Sequence, residues 1–160
     1  MQSFYTEIIA KDPRFHTTAA VHDLALLEPV TRAAVEAVIA DAKAMGIALM
    51  PWETYRSKER QELLFKQKAT KLKTVGVHHY GLACDLVKDI GGQPSWKGDF
   101  TFLTALCRKR GLISGNDWGK PSVKPSFVDS CHVQRIRVAD QNKLFAGVWY
   151  PDAAYSPWAA

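Results

Sequence analysis

Val77-His78-His79-Tyr80-Gly81-Leu82-Ala83-Cys84-Asp85 and Asp129-Ser130-Cys131-His132 hold three of the five histidines of this 160-residue chain and most of its metal-competent side chains. A catalytic zinc takes three protein ligands from His and Asp/Glu and leaves a fourth position for a water, whose pKa it lowers to about 7. His78, Asp85 and His132 can supply that set, although spacing alone leaves His79 open as an alternative to His78. Asp129 precedes His132 by three residues. On a bent strand its carboxylate can sit beside the metal's water without coordinating the metal, where a general base belongs. A carbonyl under attack develops negative charge and suits a fixed guanidinium. Arg56, in Thr54-Tyr55-Arg56-Ser57 at a predicted strand-to-helix junction, is the candidate.

Outward from these segments, hydrophobic spacing predicts a helix over about 29–45, where Val35, Val38, Ile39, Ala42 and Met45 fall on one face. Pro29 suits its first turn and Gly46 its end. Residues 47–50 and 53–55 read as extended pieces interrupted by Pro51. Ser57 can cap a second helix over about 58–68 that carries Leu63, Leu64 and Phe65 inward. A third helix over 99–110 has Asp99 as its cap, Phe100, Leu103 and Cys107 on one face and Gly111 as its stop. Residues 83–88 and 127–134 read as strands, Gly91-Gly92-Gln93-Pro94 and Gly115-Asn116-Asp117 as turns, and 139–145 as a last short helix. Helices and strands do not alternate regularly, so the class is α+β with an antiparallel sheet.

The length fits one domain over residues 1–160, with residues 150–160 expected as a surface tail. A composition of 47% hydrophobic and 23% charged residues excludes a disordered or low-complexity chain. No apolar run approaches the roughly 18–20 residues of a membrane-spanning helix. The opening Met-Gln-Ser-Phe-Tyr-Thr-Glu has no basic segment followed by an apolar one, so synthesis in a cytoplasm without a signal peptide is expected. Cys84, Cys107 and Cys131 form no CxxC pair and are expected as free thiols. A net charge of +5 favours an anionic partner without choosing among nucleic acid, lipid and acidic polymer.

With these residues in hand, the sequence resembles the zinc metallopeptidases that include D-alanyl-D-alanine carboxypeptidases and dipeptidases and phage or bacterial L-alanyl-D-glutamate endopeptidases, whose fold is shared with the Hedgehog signalling domain. The family pattern is Ser-x-His-x-x-Gly-x-Ala-x-Asp, then much later an acidic residue, two further residues and a His, with Tyr/Phe-Arg-Ser and a Gln upstream. This chain matches at His78, Gly81, Ala83, Asp85, Asp129 and His132, and at Tyr55-Arg56-Ser57 and Gln61. Gly111-Leu112-Ile113-Ser114-Gly115-Asn116-Asp117-Trp118 is similar to the Gly-Gly-Asp-Trp region of the endopeptidase branch, and the resemblance spans about 24–134.

The resemblance implies a small antiparallel sheet flanked by helices, a zinc held by His78, Asp85 and His132, Asp129 as catalytic base and Arg56 at the oxyanion. It also implies substrate contacts from Gln61 and Trp118. The expected substrate is peptidoglycan, cut between L-alanine and D-glutamate, because Asp at 129 followed by His-Val-Gln looks like the endopeptidase branch. Without a visible signal peptide or wall-binding module, the chain resembles endolysins that reach the periplasm through holin pores, acting as monomers with no nucleic-acid partner. The rivals are D-alanyl-D-alanine carboxypeptidase or dipeptidase activity, a zinc-stabilised module without turnover, and a nucleic-acid binder motivated only by charge.

Gly76 stands where the family has Ser, so a hydrogen bond supporting the first ligand is missing or supplied elsewhere. Cys84 and Cys131 alternate with Asp85 and His132 along their strands and are expected as small buried thiols behind the site, a cysteine ligand being the alternative. Residues 56–73 carry seven Lys/Arg against two Glu, which suits an anionic wall or outer-membrane lipid, or simply a solvated face. Trp96, Trp118, Trp149 and Trp158 can line a groove or fill a core, and only Trp118 lies in a family-like segment.

Overall fold

The computed structural model describes residues 3–70, 76–118 and 129–158. A short helix α1 (Phe4–Glu7) and 3-10 turns at Ile9–Lys11, Pro13–Phe15 and Leu24–Leu26 lead to the long helix α2 (Pro29–Ala44). The Glu28 carboxylate, 2% exposed, caps α2 by accepting from the amides of Val30 and Thr31, and Pro29 occupies the first turn. Met45, expected on the inner face, lies beyond the last turn and is 57% exposed.

Strand β1 (Leu49–Glu53) runs through Pro51 where an interruption was expected. It is an edge strand with a bulge between Pro51 and Glu53, a setting in which proline's missing N–H costs no ladder bond. Helix α3 (Lys58–Lys66) starts as predicted, with Ser57 Oγ accepting from the Arg60 amide, but its buried residue is Gln61. Phe65, expected inward, is 38% exposed. Strand β2 (Ala83–Ile90) outruns its predicted end, and Gln93 and Pro94, expected in the turn, begin strand β3 (Gln93–Ser95). Helix α4 (Phe102–Lys109) starts three residues late because Asp99 ties up the backbone and hydroxyl of Thr101 in a local turn. β4 (Ile113–Ser114), β5 (His132–Gln134) and a final short helix α5 (Gln141–Phe145) complete the elements. Residues 127–128 of the strand predicted over 127–134, and 71–73 of the basic stretch, lie outside the described residues.

All pairings are antiparallel, in the order β1-β2-β5-β4 with β3 on β2. On one face of this sheet Val35, Val38 and Ala42 of α2 and Leu103, Leu106 and Cys107 of α4 close over Cys84, Leu86 and Val133. Fully burying one such Leu or Val contributes about 1.5–3 kcal/mol, so this face is sealed and the chemistry is left to the other. Strand alternation turns Ala83, Asp85 and Val87 to that other face. A second cluster, including Ile9, Tyr55, Tyr80, Ala83, Ile136 and Leu144, supports it.

Residues 150–158 are not the surface tail expected. Tyr155 is 5% exposed and donates its hydroxyl to the Tyr80 carbonyl at 2.8 Å, while the Trp158 ring meets Tyr55 edge to face at 5.0 Å. Gly81 makes this closure possible. Its φ is +67°, and a Cβ there would lie 2.4 Å from the Pro157 carbonyl oxygen. No helix among the described residues is long and apolar enough to cross a membrane.

Candidate active site

Sheet register builds the site. Glu53 of β1 pairs with Asp85 of β2, and Asp85 pairs in turn with His132 of β5, so three side chains stand in one row across three strands. His78 enters from the 3-10 turn Val77–Tyr80 just before β2. Its Nε2 is 3.5 Å from Asp85 Oδ1, and His132 Nδ1 is 3.3 Å from the same oxygen. One ligand atom from each of His78, Asp85 and His132 lies within 4.8 Å of the others, and all three residues are buried.

Each imidazole has its second nitrogen occupied, which settles its tautomer. His78 Nδ1–H donates to the Thr54 carbonyl at 2.9 Å, so Nε2 presents its lone pair. The support that Gly76 does not give therefore comes from Thr54. Gln134 donates its own amide N–H to the Ile136 carbonyl at 2.7 Å and to Gln141 Oε1 at 3.1 Å, leaving its Oε1 to accept from His132 Nε2 at 2.8 Å. His132 Nδ1 is thus the free lone pair. His78 Nε2 and Asp85 Oδ1 are buried with no hydrogen-bond partner among the described residues, an arrangement normally paid for by a cation. Two imidazoles and a carboxylate are a donor set that fits zinc.

His79 is fully buried and faces away from this group, its Nδ1 donating to the Arg56 carbonyl at 2.5 Å. That distinguishes it from His78. Neither Cys84 nor Cys131 joins the ligands. Cys84 lies in the core behind the sheet and burial pushes its thiol up, as expected. Cys131 is only half-buried, and its Sγ is 3.4 Å from Asp129 Oδ1. All three cysteines are free.

Burial on its own would raise the Asp85 carboxyl, but His78 and His132 outweigh it and hold the group well below the usual carboxylate range. Burial likewise disfavours a charged His132, yet Asp85 and then Asp129 push it up. Arg56, 8% exposed, is clamped beside them: Nε and NH2 donate to the two Glu53 oxygens at 3.0 and 3.1 Å, and NH1 donates to Gln61 Oε1 at 3.1 Å. Its NH2 lies 3.6 Å from Asp85 Oδ2. Glu53 also accepts from Arg60 Nε at 3.1 Å.

Gln61, expected to touch substrate, is fully buried behind Arg56, with its Nε2 donating to Thr70 Oγ1 at 3.3 Å. It is placed to orient the guanidinium instead. Trp118 lies over the edge of the site, its ring 5.1 Å from that of His132. Glu53, Thr54 and Gln134 escaped sequence reasoning. Only the adjacency of Glu53 and Thr54 to the Tyr-Arg-Ser segment, and of Gln134 to His132, signals them.

Burial opposes a charged Glu53, but Arg56, then His78, hold its carboxyl below the usual range. A carboxylate depressed in the fold contributes stability above its ordinary value and loses it as pH falls through the folded one. The metal-free protein should therefore lose urea resistance as pH drops below 4.5, and Glu53→Gln should flatten that acid limb. An unchanged acid limb in the variant would refute this.

Asp129 is held where its backbone presses on Gly115: a Cβ on Gly115 would come within 2.0 Å of the Asp129 carbonyl oxygen. Asn116 Nδ2 also donates to the Ser130 carbonyl at 3.5 Å. Gly115→Ala should displace Asp129 and lower turnover by about 10²-fold with metal content intact, measured as kcat beside metal per chain.

The chain has the fold of solved DD-peptidase-fold proteins, with a buried His-Asp-His group whose Asp85 and His132 stand on paired antiparallel strands and whose His78 comes from the 3-10 turn before them. Its likeness to individual proteins is distant. The chain is 25% identical over 144 residues to the peptidoglycan L-alanyl-D-glutamate endopeptidase CwlK of Bacillus subtilis (strain 168), covering 76% of this chain and 83% of the relative. The solved structure of the Serratia marcescens L-Ala D-Glu endopeptidase ChiX is similar with a TM-score of 0.58 and 18% identity, over 74% of this chain and 86% of that one. A mutant of the vancomycin-resistance D,D-pentapeptidase VanY, in complex with Zn(II), is similar with a TM-score of 0.54 and 15% identity, over 75% and 78% of the two chains. No family model matches the chain.

Proposed function

We propose that this protein is a zinc peptidase of peptidoglycan that cuts stem peptides between L-alanine and D-glutamate. The observation that carries the chemistry is the buried His78-Asp85-His132 group, whose lone pairs converge beside the clamped Arg56 guanidinium. The substrate and bond rest on the likeness to CwlK, with the fold it shares with ChiX in support.

Bound zinc would supply Lewis acidity towards the peptide carbonyl and towards water. His78 and His132 hold their lone pairs forward through the Thr54 and Gln134 contacts, and Asp85 completes the set. Asp129 takes the proton of the attacking water and returns it to the leaving amine nitrogen, so no covalent enzyme intermediate is needed. Arg56, fixed by Glu53 and Gln61, faces the oxygen on which negative charge develops.

Mass spectrometry of Gram-negative peptidoglycan after incubation, with and without a zinc chelator, tests the reading. Chelator-sensitive release of peptides beginning with D-glutamate is expected. Release of D-alanine or D-alanyl-D-alanine would move the protein to the carboxypeptidase or dipeptidase branch, and no product with zinc bound would leave a non-catalytic module. The same proposal includes an endolysin role, with delivery through a holin-type pore. The net charge of +5 supports dwell on anionic envelope lipid and wall. Rapid clearing of cells with a permeabilised outer membrane is the expected result.

A further inference from the structure

We infer that Trp52 and Trp96 form a saccharide-stacking corner at one end of the site, which receives the sugar carrying the stem peptide; the inference rests on the L-alanyl-D-glutamate reading above. The bulge in β1 leaves Trp52 as the extra residue directly before Glu53. Ser95 of β3 pairs with Lys88, so Trp96 comes next to the level of Val87 on the far side of β2. Val87 faces the same way as Asp85, being two residues along the strand. The two indoles meet across β2 at 4.9 Å between centroids and 82° between planes, forming a right-angled corner on the face of the sheet that bears the metal-ligand group.

Among the described residues neither indole belongs to a hydrophobic core cluster, and Trp96 is 49% exposed. The His22 ring, 4.9 Å from Trp52, adds a polar edge. An aromatic wall beside polar groups suits a pyranose ring, whose C–H faces are apolar and whose edge carries hydroxyls.

The spacing selects where on the substrate that ring sits. Asp85 and Val87 are about 7 Å apart along an extended strand. In a muramyl peptide the L-alanine carbonyl is separated from the sugar by one alanine and one lactyl unit, also about 7 Å when extended. A D-alanyl-D-alanine bond would lie more than roughly 15 Å from the sugar and would not bring it to this corner.

The test is calorimetric titration of the zinc-loaded Asp129→Asn protein, silent in turnover, with a muramyl peptide and with the same peptide lacking the sugar. The sugar should strengthen binding about tenfold. Trp96→Ala, an exposed change that does not endanger folding, and Trp52→Ala should each remove that gain and leave affinity for the bare peptide unchanged. Equal affinity for the two ligands, or a gain that survives both substitutions, would overturn the inference. So would Trp96-dependent binding of single-stranded DNA with no gain from sugar, which would make the corner a nucleic-acid face. A Trp-dependent gain without release of D-glutamyl peptides by the wild type would retire the bond assignment and keep the saccharide corner. Release of those peptides with no gain would do the reverse.

Discussion

Replacing His132 with alanine should abolish stoichiometric zinc binding and turnover together, whereas Asp129→Ala should keep the zinc and lose turnover. His132 presents Nδ1 because Gln134 holds its Nε2–H, so the alanine removes one of the three converging ligand atoms. Disturbing an outer hydrogen bond to a metal ligand already costs about 10–100-fold in metal affinity, and losing one of three ligands should exceed that. Asp129 is absent from the converging group and should cost only the proton transfer, about 10²–10⁴-fold in kcat. Metal per chain by mass spectrometry, read beside cleavage, separates the two. Normal cutting by Asp129→Ala would refute its role as base, and wild-type zinc affinity in His132→Ala would refute the ligand set.

Arg56→Ala should have the second large effect, acting on rate and stability at once. Removing a group that meets developing oxyanion charge costs about 10²–10³-fold in kcat. The same change strips the paired hydrogen bonds from Glu53, which is 2% exposed, and breaking a buried ion pair costs about 3–5 kcal/mol. Arg60 still reaches Glu53, which places the loss at the lower end. Arg56→Lys restores charge without the planar fork and should recover part of the stability but little of the rate. Urea unfolding beside single-turnover kinetics checks both, and a wild-type kcat in Arg56→Lys would show that the fork is not required.

Much of the architecture was legible in local pattern. The α2 face of Val35, Val38 and Ala42, the Ser57 cap of α3 and the antiparallel class all follow from periodicity and turn chemistry acting over a few residues. Asp99 failed as a cap for a local reason, because it closes a turn on Thr101 two residues on. The other expectations failed where distant segments compete with local preference: Pro51 stays in β1 because β1 is an edge, and residues 150–158 are drawn in by Tyr80, Tyr55 and Gly81.

The candidate site divides along the same line. Sequence by itself nominated the residue types suited to the chemistry, His78 or His79, Asp85, His132, Asp129 and Arg56, because ligand and acid-base chemistry restricts the side chains that can serve, and the family resemblance chose His78. Tertiary structure alone decided that His78 and not His79 turns towards Asp85, that Glu53 and Gln61 clamp Arg56, that Gln134 orients His132, and that Trp52 meets Trp96. The His78 and Trp52–Trp96 contacts depend on a backbone carbonyl or on strand register supplied from elsewhere in the chain, whereas the supports of Arg56 and His132 come from residues two to five positions away whose side chains only the fold orients.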